Sequence, residues 1–175
     1  MKSRLAALAL AACLTLAGCF VSDKPLFKGA GDPLFGRGLV TVTTFEAGSA
    51  PDTGQMRWTP QGYIDPDDND KNVMTLHHLP GGGWFSPWYV GQAGVSGDGK
   101  GGYMYMLYRK DGDRLITYDL SCSDLTADEA AAAHLVRSDS GSECTATRPE
   151  DLAAAFRLLA KRKPSKGYMT AKPAS

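Results

Sequence analysis

The side chains that could do chemistry are few and scattered along the chain. Asp65, Asp67 and Asn69 present oxygens at alternate positions, like the opening of a calcium loop. Asp70 then stands where such a loop needs glycine, and Leu76 where it needs glutamate, so the stretch reads as a solvated acidic turn. His77 and His78 are adjacent in a strand-like run, which points them to opposite faces and prevents joint chelation of one ion. No G-x-S-x-G places a nucleophile, so no catalytic residue is assigned. The Gly94–Gly102 stretch with Lys100 lacks G-x-x-x-x-G-K-[ST] and precedes a strand, which makes it a hairpin loop rather than a phosphate cradle. Neither a metal nor a cofactor is expected. Trp84, Phe85, Trp88 and Tyr89 form the densest aromatic group, either core or, if exposed, a surface for protein or glycan.

The most specific pattern lies in the first nineteen residues. Lys2 and Arg4 precede an apolar run, Leu5 to Ala17, as in a secretory signal. At roughly 13 residues that run is too short to span a bilayer, which takes about 20. Leu16-Ala17-Gly18-Cys19 resembles the lipobox of bacterial lipoproteins. The resemblance implies removal of residues 1–18, a diacylglyceryl thioether on Cys19 and further acylation such as palmitate, enough chains for stable anchoring. Leu10-Ala11-Ala12-Cys13 also reads as a lipobox, but cutting there leaves only Leu5 to Ala12 as the apolar run. Cys19 has the better-proportioned run and is followed by the polar Ser22-Asp23-Lys24-Pro25. Phe20, rather than Asp, follows it. By resemblance to lipoprotein sorting in enteric bacteria, that favours the outer membrane, facing the periplasm. The rest of the chain is similar in layout to small envelope lipoproteins of proteobacteria.

Removing residues 1–18 leaves 157, enough for one domain with a core. It also leaves 17 Lys and Arg against 19 Asp and Glu, a balance that creates no field for nucleic acid. With Cys13 removed and Cys19 lipidated, Cys122 and Cys144 remain as a pair in an exported protein, where disulfides persist. Their bridge would close a loop of about 23 residues, a stabilisation of roughly 3–4 kcal/mol in the chain-entropy model.

The elements that must position these groups are mostly strands. Gly38–Ala47, Met56–Thr59, Asn72–Leu79 and the stretch after Pro87 have β character. Tyr103–Tyr108 is bulky on both faces, as a central strand is, and Asp111-Gly112 pairs it with a strand around Leu115–Tyr118. Thr126 and Glu129 fit a capping box before a short helix, and Thr147 with Glu150 fits a second. Leu152, Ala155, Phe156, Leu159 and Ala160 then mark one buried helical face, stopped by Pro164. The expected fold is α+β: an antiparallel β-meander, as a curved sheet or partly open barrel, with a C-terminal helix packed on it. Residues 19–37 read as a lipidated tether, 38–163 as the domain and 164–175 as a mobile tail. The six basic residues from Arg157 to Lys172 suit a dipole-matched helix end and tail, or a contact with anionic envelope polymers. The functional expectation is a lipid-anchored, non-enzymatic envelope protein that binds another envelope protein or polymer. Its rival is an envelope hydrolase that unites a histidine with the Asp65–Asp70 carboxylates.

Overall fold

A computed structural model describes residues 19–67, 72–83, 85–95 and 102–174. Residues 1–18 with the expected signal segment, residues 68–71 of the expected acidic turn, Trp84, residues 96–101 with Lys100, and Ser175 lie outside the described residues. The strands are β1 (Phe20–Ser22), β2 (Leu39–Glu46), β3 (Asp52–Thr59), β4 (Gly62–Ile64), β5 (Val73–His78), β6 (Trp88–Val95), β7 (Gly102–Asp111), β8 (Arg114–Tyr118), β9 (Val136–Arg137), β10 (Cys144–Thr145) and β11 (Gly167–Pro173). Helix α1 spans Ala127–Ala132 and α2 spans Pro149–Ala160.

The expected α+β meander is corrected to a mostly β chain built on a closed barrel. Eight antiparallel strands run in the order β6-β5-β4-β3-β2-β11-β8-β7, and β6 pairs with β7 from Trp88↔Arg109 to Val95↔Gly102 to complete the ring. Closure removes the edges that an open sheet would expose. Strands β1, β10 and β9 continue outward from the first half of β7, where β8 has already departed.

Alternation decides what fills the barrel. Val40, Val42, Tyr63, Leu76, Tyr89, Tyr108 and Leu115 form one buried cluster with Met56, Met74, Met106 and Met169. Unbranched methionines suit the irregular gaps of a small lumen. Gly91 belongs to the same design, because a Cβ there would stand 2.5 Å from the Tyr108 ring. Between these inward positions, Thr41, Thr43, Gln55, Arg57, Thr170 and Lys172 take the other face. These outer positions on β2, β3 and β11 are polar, unlike the apolar outer band of a membrane-spanning barrel. Among the described residues, no helix is long and apolar enough to cross a membrane.

A second cluster lies outside the wall, where Leu152, Ala155, Phe156 and Leu159 of α2 join Val90, Tyr105, Leu107 and Phe20. Strand β7 therefore carries bulk on both faces because each face meets a core. The Cys122–Cys144 disulfide lies within this outer cluster, with both cysteines fully buried.

Both expected flexible ends are corrected. Residues 19–37 are no loose tether. Phe20 is buried against Phe156 at 5.0 Å, and Ser22, Leu26 and Phe27 are bonded to Tyr105 and Gln92. The expected mobile tail 164–175 is instead largely a strand, since Gly167–Pro173 pairs with β2 on one side and β8 on the other. The second expected capping box also fails. Arg148 is the N-cap of α2 without a side-chain cap bond, and its guanidinium instead holds the buried Asp151 at 2.6 Å. The first box, Thr126 with Glu129, is present.

Candidate functional site

His77, His78 and Tyr89 lie at one mouth of the barrel, where β5 ends, β6 begins, β7 ends and β8 begins. The segment before β2 is drawn across this mouth as a strap. Gly31 forms a bridge with Leu76, and the Asp32 amide donates to the Leu76 carbonyl at 2.6 Å. Only glycine fits at 31, because φ is 75° and a Cβ would stand 2.2 Å from the Leu76 oxygen. Further on, the buried Tyr63 hydroxyl donates to the Gly36 carbonyl at 2.8 Å and accepts from the Phe35 amide at 2.9 Å. Leu34 and Phe35 thereby cap the luminal cluster.

The strap places Asp32 beside His78. His78 Nε2 lies 3.7 Å from Asp32 Oδ2 and 3.3 Å from the Tyr89 hydroxyl, with the His78 and Tyr89 rings 4.4 Å apart. Burial pushes the Tyr89 phenol up, and the negative charge of Asp32 pushes it further, so it remains a proton carrier at neutral pH. A nucleophile-activating histidine uses its two ring nitrogens separately, one toward the nucleophile and one toward the carboxylate. Here the carboxylate and the hydroxyl both face Nε2, at distances beyond a short hydrogen bond. The arrangement can hold a hydrogen-bonding group at the mouth.

The two adjacent histidines do point to opposite faces, and their surroundings differ. His77 faces outward and stacks on Phe27 at 5.1 Å. Burial lowers its pKa below 6.5 and so favours the neutral ring, an effect partly offset by the negative charge of Asp32. The expected union of a histidine with the acidic turn is not formed by Asp65 or Asp67, while Asp68 and Asp70 lie outside the described residues. Asp65 and Asp67 follow β4 at the opposite mouth, where Asp65 Oδ1 accepts from the Asp67 amide at 2.8 Å. The carboxylate that reaches the histidines is Asp32, which spacing alone had not singled out. Among the described residues, no group of three or more His, Cys, Asp or Glu could hold a metal ion.

The aromatic group is split by the fold. Tyr89 turns into the lumen, while Trp88 turns outward against Tyr118 at 5.2 Å and under the Arg109 guanidinium at 5.9 Å. Phe85 is 96% exposed, an unusual state for so large an apolar side chain. Trp84 lies outside the described residues. An open groove of about 450 Å³ joins Phe85, Ser86 and Pro87 to His78, Tyr89, Lys110 and Gly112. Of the expected aromatic surface, Phe85 is exposed and lines this groove together with Tyr89 and His78.

Half of the six-residue basic C-terminal run is engaged by local acidic partners. Arg162 pairs with Glu129, Lys163 with Asp124 and Lys166 with Glu46. Cys19 lies outside the disulfide, and its carbonyl accepts from the Cys144 amide at 3.0 Å. No family model, curated protein or solved structure matches this chain, so its role rests on its own residues and geometry.

Proposed function

We propose that this chain is a lipid-anchored protein of the bacterial cell envelope, attached through Cys19, whose barrel binds another envelope component at the His78–Phe85 mouth. The observation that carries the binding half is the groove itself. It joins an exposed phenylalanine to an imidazole, a phenol and the Lys110 ammonium on the wall of a closed barrel. Such a mixture of one apolar anchor and convergent polar groups suits recognition of a protein or polymer surface. The lipobox supports the anchoring half. So does the start of the folded domain immediately after Cys19, at the core residue Phe20.

Two variants separate the halves. Replacing Cys19 by Ser is expected to move the protein from the membrane fraction to the soluble envelope fraction. A photo-crosslinking residue at position 85 is expected to capture a discrete partner in intact cells, and the same residue at exposed Gln61, on the β3–β4 turn, is not. Equal capture from both positions would contradict the assignment of the groove. Unchanged membrane association of Cys19→Ser would contradict the assignment of the anchor.

A further inference from the structure

The proposed attachment residue is joined to the folded domain with no intervening linker. Phe20 is 1% exposed and packed on Phe156, so no residue separates Cys19 from the core, and the two Cα atoms are one peptide step, about 3.8 Å, apart. The Cys19 carbonyl is itself a sheet acceptor for the Cys144 amide, and the Val21 carbonyl accepts from Ala146 at 2.9 Å. Strand β10 is in turn fixed to the body by the Cys122–Cys144 disulfide. A flexible tether of n residues would let the domain wander by about 5–6 Å × √n from its lipid. This chain has no such freedom.

The register shows which flank would meet the lipid. Phe20 and Cys144 turn into the core, and alternation puts Cys19, Val21 and Thr145 on the opposite face. Val21, Thr145 and Val136 are in register across β1, β10 and β9, and Val136 is 65% exposed. The candidate groove lies elsewhere. Strand β1 pairs with the start of β7, up to Tyr105, whereas the groove is lined by Lys110 near its end, roughly 16 Å along the strand.

Resting on the Cys19 anchor, we infer that the flank formed by β1, β10 and β9 is a membrane-contact surface, with Val21 and Val136 toward the bilayer and the His78–Phe85 mouth held away from it. The occupant is the bilayer surface, because acyl chains on Cys19 can enter lipid only if this flank approaches it. The groove would then be presented to a partner outside the membrane.

Energy transfer to a headgroup-linked acceptor tests the geometry on the full lipidated protein in vesicles. A donor dye is placed at Val136→Cys or at Phe85→Cys, both exposed positions whose substitution leaves the cores intact. Transfer is expected to be several-fold stronger from position 136. A flexible linker of about ten residues inserted after Cys19 is expected to bring the two positions close to equal. Equal transfer in the native protein, or a linker without effect, would overturn the inference while leaving the anchor standing. Failure of the native protein to float with vesicles would overturn both.

Discussion

Removing one hydroxyl group tests whether the strap belongs to the folded barrel. Tyr63 is fully buried, and its hydroxyl joins the Gly36 carbonyl to the Phe35 amide at 2.8 and 2.9 Å. Burial pushes this phenol up to about 12, so the bridge keeps its proton throughout the neutral range. Tyr63→Phe preserves the ring contacts with Trp58 at 4.8 Å and Phe35 at 5.4 Å and deletes only the bridge. Leaving buried polar groups unpaired costs about 1–3 kcal/mol. Phe35 is only half-buried, so water can reach part of the site and the lower part of that range applies, about 1–2 kcal/mol. For a domain of this size, each kcal/mol moves Tm by roughly 2–4 °C, which gives a drop of about 2–8 °C. Thermal unfolding reads the drop, and hydrogen exchange at the Phe35 and Asp32 amides reads loosening of the strap. Unchanged Tm together with unchanged exchange would refute the reasoning, because the bridge would then carry no strap.

Other elements make equally definite demands. Truncation after Lys163 removes β11 and unpairs both β2 and β8, so soluble yield and far-UV circular dichroism should show loss of the folded barrel; a soluble, native-like truncate would contradict closure. Phe20→Ala should destabilise by about 3–5 kcal/mol in denaturant titrations, because it empties a fully buried site. Reducing the Cys122–Cys144 bridge should cost roughly 3–4 kcal/mol in the same assay. His77 has a depressed pKa, so the unfolded chain binds its proton first and stability should fall as pH drops below 6.5. His77→Phe keeps a ring against Phe27 and should make that fall shallower; an identical pH profile would show that His77 does not contribute to it.

Much of the sheet is legible in the chain because its central strands are long and their chemistry is local. The two bulky faces of Tyr103–Tyr108 anticipate two cores, and those cores are the lumen and the α2 layer. The Asp111-Gly112 hairpin and the opposite faces of His77 and His78 follow from equally short-range rules. Closure is not local. It depends on Gly167–Pro173, a stretch with a lysine and a proline that follows a helix stop and resembles a tail. Its inward Met169 and Ala171 are a weak alternating signal that becomes meaningful only between β2 and β8. The first strand is three residues long, too short for periodicity, and is fixed by Tyr105 and Cys144 from distant parts of the chain. The same reason hides the site. Asp32 reaches His78 through a strap held by Leu76 and Tyr63, and no spacing in the chain records that contact.

The central claim is the proposed anchor, because the proposed location of the protein and orientation of its groove both follow from it. Mass analysis of the N-terminal peptide from membrane-fraction protein tests it most directly. The predicted result is a peptide that begins at Cys19 and carries a diacylglyceryl group with an additional acyl chain. A peptide that begins elsewhere, or an unmodified Cys19, would contradict it.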